Sequence, residues 1–76
     1  MWVRNQWKDA LLNCETITIK NGCGNWVGKY YIDSEKGYLG VYSTKEKALK
    51  VLDELQHYVV HHPLACYQMP QDSEVE

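Results

Sequence analysis

A chain of 76 residues has room for one domain at most, and its net charge of −2 is too low for a polyanion-binding protein. The lysines are scattered over positions 8, 20, 29, 36, 45, 47 and 50, so the concentrated basic face that duplex nucleic acid requires is missing. No apolar run approaches bilayer-spanning length. Three cysteines without framework spacing, and a start that lacks a secretory leader, predict a cytoplasmic protein with free thiols.

In chain order, residues 2–6 read as a first strand and residues 8–13 as a short helical turn or loop. Residues 15–20 alternate Thr16 and Thr18 with Ile17 and Ile19, a two-residue period of β-branched side chains. The turn-rich stretch 21–25 predicts a hairpin, with residues 26–33 returning antiparallel. A second turn at 34–37 leads into a strand over 38–42. Ser43-Thr44-Lys45-Glu46 has the form of a capping box, with Ser43 as the cap. Behind it Ala48, Val51, Leu52, Leu55 and Val59 recur at helical spacing, which predicts a helix over 44–60 stopped by Pro63. Residues 65–69 form a last strand. The expectation is an α+β fold in β-β-β-β-α-β order, with a small antiparallel sheet and one helix packed on one face. Residues 1–70 make the domain, and residues 71–76, with Asp72, Glu74 and Glu76, an acidic flexible tail.

Strict alternation sends Leu39 and Val41 to one face of the sheet and Tyr38 and Tyr42 to the other. One helix covers one face, so the aliphatic face is its natural partner. The remaining face then carries Tyr38 and Tyr42 with Tyr30 or Tyr31 and Trp26, a composition suited to an interface core. A domain this small buries only about 60% of its unfolded surface, which favours a homo-oligomer.

Three blocks carry a resemblance: Met1-Trp2-Val3-Arg4-Asn5-Gln6 at the start, the run from Leu39-Gly40-Val41-Tyr42-Ser43 through Leu52-Asp53, and Tyr67-Gln68-Met69-Pro70-Gln71-Asp72. In these the chain resembles a family of short proteins encoded by Gram-positive bacteria and their phages. The resemblance implies a phage or prophage setting, with the host cytoplasm as the place of action. It supplies no reaction, cofactor or catalytic residue.

The chemistry legible in the residues points to binding. His57 and His61 are spaced i,i+4 on the helix, with His62 and Cys66 near, but a zinc site wants four ligands and no paired spacing supplies them. Cys23 between Gly22 and Gly24 is the nearest thing to a nucleophile, and a turn cysteine is more often there for its size. No nucleophile elbow, Walker loop or carboxylate pair is present, so no enzyme, no metal and no cofactor is expected. Arg4, the sole arginine, shares its strand with Trp2 and Gln6. A planar guanidinium beside a stacking indole suits an anionic nucleotide, while a salt bridge to Asp9 or Asp72 would satisfy Arg4 internally. The leading expectation is a stoichiometric binder of a host protein that counters a host defence system. The alternatives are an oligomeric sponge for a small nucleotide signal and a nucleic-acid-associated module. The candidate binding residues are Trp2, Arg4, Gln6, Tyr30, Tyr38 and Tyr42.

Overall fold

The computed structural model describes residues 1–22 and 24–75; the Cys23 thiol and Glu76 lie outside the described residues. The fold is α+β, but its strands fall into two small sheets rather than one. Strands β1 (Trp2–Arg4), β2 (Leu11–Asn13) and β6 (Cys66–Gln68) form the first, in the order β2-β1-β6. Strands β3 (Ile17–Asn21), β4 (Tyr30–Ser34) and β5 (Gly37–Tyr42) form the second, in the order β3-β4-β5. Helix α1 (Lys45–His61) lies between β5 and β6 in the chain and packs on β4, β5 and β6, so it spans both sheets. All pairings are antiparallel except β1 with β6, which is parallel because α1 carries the chain back to the start of β1.

Strand β2 replaces the helical turn or loop expected over 8–13. Asn5 makes the reversal: its Oδ1 accepts from Asp9 N–H at 3.1 Å and Ala10 N–H at 3.3 Å, while its Nδ2 donates to Asp9 Oδ1 at 2.8 Å. Lys8 takes a positive φ of 63° in the same turn. Three residues are too few for a two-residue period to register, which is why the strand is invisible in the sequence.

The return strand starts later than expected. Gly24–Trp26 is a 3-10 turn, and Gly22 N–H donates to Lys29 O at 2.9 Å to close the loop before β4 begins at Tyr30. A Cβ at Gly22 would collide with the Trp26 carbonyl, so the chain can approach itself here only at glycine. The β4–β5 hairpin then turns in two residues, with Gly37 at a φ of 137°.

Strand β5 carries a bulge. Ile32 pairs with Gly40 and Asp33 with Tyr38, leaving Leu39 as an extra residue without a partner across the ladder. The extra residue reverses the alternation after it. Leu39 and Tyr42 both turn inward and are fully buried, while Tyr38 and Val41 face the other way. This corrects the assignment of Tyr42 to an open face and of Val41 to the face of Leu39.

Helix α1 is capped one residue later than expected. Thr44 Oγ1 accepts from Lys47 N–H at 3.1 Å, whereas Ser43 donates from both N and Oγ to Asp72 Oδ1, at 2.8 and 3.1 Å. The stripe predicted from spacing is the packed one: Ala48, Val51 and Leu55 are buried, Leu52 and Val59 half-buried. At the other end His62 N–H donates to Tyr58 O just before Pro63. Residues 71–75, expected to be a flexible tail, are held to the body. A 3-10 turn spans Asp72–Glu74, Val75 is buried, and Lys47 Nζ lies 3.6 Å from Asp72 Oδ2.

Candidate functional site

On β4 the alternation that buries Ile32 turns Tyr31 and Asp33 to the opposite face, away from α1. Tyr38, on β5 before the bulge, joins them. The 3-10 turn lays Trp26 across both tyrosines, and the Asn5 turn brings Trp7 alongside Trp26. The four rings form one cluster. Trp26 lies 5.4 Å from Tyr31 and 5.1 Å from Tyr38 between centroids, and the two tyrosines meet edge to face at 5.1 Å. Trp7 and Trp26 are nearly parallel, 12° between planes, with centroids 6.2 Å apart. These are the offset and edge-on geometries that aromatic quadrupoles prefer, so the cluster holds its own shape. It is nevertheless half in solvent: Trp7 is 46% exposed and Tyr38 51%.

The rim is polar. Lys20 Nζ contacts Asp33 Oδ2 at 3.2 Å, and this hydrogen bond raises the lysine's pKa. On the other side the two indoles border a recess of about 310 Å³ whose walls include Lys29, Gln6, Ser43 and Asp72. The Asp72 carboxyl is held below the usual carboxylate range, chiefly by the Ser43 backbone N–H. The surface thus combines apolar rings with hydrogen-bonding groups at its edge.

Of the six residues nominated from sequence, Tyr38 alone belongs to this cluster. Tyr42 is buried, its hydroxyl donating to Pro70 O at 2.8 Å, and burial pushes its pKa up. Tyr30 is on the inner face, packed against the core; its neighbour Tyr31 takes the place in the cluster. Gln6 is buried and tied to Val41, so it does not share a face with Trp2 and Arg4. Trp2 and Arg4 do lie on one exposed side of β1, but the Arg4 fork is occupied within the chain: Nε and Nη2 donate to Lys8 O at 3.2 and 2.8 Å. Neither of the two carboxylates proposed for Arg4 is its partner, for Asp72 serves Ser43 and Lys47 and Asp9 serves Asn5. Sequence reasoning missed Trp7 altogether. Its signal was Asn5, a turn-forming residue two positions before a large aromatic.

The histidines lie elsewhere. His57 and His61 lie side by side along α1 with ring centroids 4.3 Å apart and their planes tilted by 52°, and His57 and His62 border a second recess of about 410 Å³ with Tyr58 and Tyr67. The Tyr67 hydroxyl is pushed up to about 12, first by burial and then by the Glu54 carboxylate. Among the described residues no three His, Cys, Asp or Glu side chains are grouped to hold a metal ion. Cys66 instead borders the recess beside Arg4. Among them, too, no helix is long and apolar enough to cross a membrane.

No known family, curated protein or solved structure matches the chain.

Proposed function

We propose that the protein acts by stoichiometric binding, presenting the Trp7–Trp26–Tyr31–Tyr38 face to a protein of the host in which it is expressed. The observation that carries this reading is a rigid four-ring cluster left half exposed on the sheet face that α1 does not cover. Large aromatics with few rotamers and a polar rim are what dominate the centre of protein interfaces, where they add contact area at low entropic cost. The resemblance to short phage and prophage proteins gives the setting, a Gram-positive cell whose defence or regulatory machinery is the target. Occupying such a target needs no catalytic group.

Wild-type protein immobilised against a Gram-positive lysate should retain a defined host protein, whose affinity is then measured with purified components. Trp7→Ala and Tyr38→Ala should each weaken binding by about 2 kcal/mol or more, roughly thirtyfold. Trp2→Ala, equally exposed but on the first sheet, should leave it unchanged. Equal affinities for all three variants would remove the aromatic face from the interaction.

A second reading, sequestration of a small nucleotide, has its footing in the recess beside Trp7 and Trp26, where Lys29 offers a cation next to two stacking planes. The Asp72 carboxylate in the same wall opposes an anion, which is why protein binding is preferred. A nucleotide screen by thermal shift distinguishes the two: a rise in Tm that Trp26→Ala abolishes belongs to sequestration.

A further inference from the structure

The two outer edges of the second sheet are treated differently. Along β5, Gln6 acts as a surrogate strand. Its N–H donates to Leu39 O at 2.7 Å, and its side chain accepts from Val41 N–H at 2.8 Å and donates to Val41 O at 3.1 Å. Among the described residues no strand pairs with the outer edge of β3. The bond from Gly22 N–H to Lys29 O sets the alternation: Thr18 and Lys20 direct their backbone groups at β4, and Ile17, Ile19 and Asn21 direct theirs outward. Such an edge is a template for another strand unless guarded by proline, a bulge or a projecting charge. Strand β3 contains no proline and pairs with β4 without a bulge, and its lysine is drawn back onto Asp33 of the same sheet.

From this we infer that β3 is a self-pairing edge, and that a second copy of the chain docks there antiparallel, about a two-fold axis at Ile19, to make one continuous six-stranded sheet. Two observations favour a second copy over a foreign peptide. Ile17 and Ile19 are only half-buried on the inner face, because α1 packs on β4, β5 and β6 and leaves β3 at the margin. A two-fold at Ile19 brings each copy's isoleucines against the other's, closing the core on both sides. Register is also self-complementary. Ile19 meets Ile19 and Ile17 meets Asn21, each pair exchanging both backbone hydrogen bonds, while Thr18 faces Lys20 across the seam. Moving the axis to Lys20 would set two lysines directly opposite. Moving it to Thr18 would require Glu15, whose N–H already donates to Glu35 Oε2 at 2.7 Å. The axis at Ile19 avoids both. The aromatic clusters of the two copies then lie on the same face of the joined sheet.

The test is sedimentation equilibrium on the full chain from about 1 to 200 µM, a span that brackets a Kd in the tens of micromolar, paired with residue-resolved amide exchange. Wild type should dimerise from its 8.9 kDa monomer. Amides of Ile17, Ile19 and Asn21 should exchange more slowly as concentration rises, and those of Thr18 and Lys20, already bonded to β4, should not respond. Thr18→Lys places like charges across the seam in both halves of the dimer. Within the monomer it puts an exposed lysine opposite Asp33, so folding is kept. It should raise the dimer Kd at least tenfold, with partial recovery in high salt. Ile17→Pro, which deletes an outward N–H at the first strand position, should do the same with native tryptophan emission. A monomer throughout the range overturns the inference. So does a dimer indifferent to both variants, or concentration-dependent protection at other amides. None of these outcomes bears on capture of a host protein by the aromatic face.

Discussion

Gln6 lies buried between the two sheets, with Val41, Leu39, Pro70 and Gln71 all hydrogen-bonded to its main chain or side chain. Its amide is matched donor to acceptor: Oε1 receives an N–H, and Nε2 gives to two carbonyls. Replacing it with alanine takes the side-chain partner from both Val41 N–H and Val41 O, while the Pro70 carbonyl keeps the Tyr42 hydroxyl, so Gln6→Ala should cost about 1–3 kcal/mol. Gln6→Glu should cost more, since a carboxylate would turn toward the Val41 and Pro70 carbonyls. Urea unfolding reads the effect as a lower midpoint at unchanged slope. Arg4 offers the contrast. Its fork closes on a neighbouring turn carbonyl and is exposed, so the only arginine of the chain is a local brace for the Asn5 turn.

At the scale of the element, α1 is specified twice at its start. Thr44 caps the helix, and Ser43 ties the preceding residue to Asp72 from the C-terminal segment. The two hydroxyls are therefore unequal. Thr44→Ala removes the acceptor for Lys47 N–H and should cost about 0.5–2 kcal/mol. Ser43→Ala loses one of two bonds to the same Asp72 oxygen and keeps the backbone bond, so its Tm should fall less. A larger fall for Ser43→Ala would make Ser43 the true cap. Strand β5 shows the limit of reasoning by period. Alternation holds from Thr16 to Ile19 because β3 is unbroken, and it fails at Leu39 because one extra residue shifts every later side chain to the other face.

At the scale of the molecule, two carboxylates fasten distant segments. Asp72 receives Ser43 and Lys47, and Glu35 receives the backbone N–H groups of Glu15 and Thr16. Both have lowered pKa values, each chiefly from a backbone N–H: Ser43 for Asp72 and Glu15 for Glu35. A folded-state pKa below the unfolded one stabilises fully above the ordinary carboxylate value of about 4, and that contribution is lost as pH falls through the folded value. Tm should thus be flat near neutrality and drop in acid. Asp72→Asn keeps an acceptor for Ser43 but not the charge, so it should lower Tm at pH 7 and converge on wild type as pH falls through the lowered folded-state value. A constant difference across the whole range would show that the charge at 72 is not what ties the C-terminal segment down.

What the residues determined alone is local. The extent of α1 follows from a hydroxyl cap, a 3.6-residue apolar stripe and Pro63, all within one stretch of chain. The facing of β3 and the two-residue turn before Gly37 follow from equally short patterns. What the tertiary structure decided is everything that depends on a distant partner. The bulge at Leu39 exists because the core takes both Leu39 and Tyr42, and no two-residue period can express that. Gln6 looked like a free amide because its partner Val41 is 35 residues away. The acidic end looked solvated because Gln71, which donates to Gln6 O, is 65 residues from it. The candidate surface divides the same way. Tyr38, Trp26 and one of Tyr30 and Tyr31 were legible from strand alternation, whereas the choice of Tyr31 and the arrival of Trp7 beside Trp26 were decided only when the Asn5 turn and the sheet face met in space.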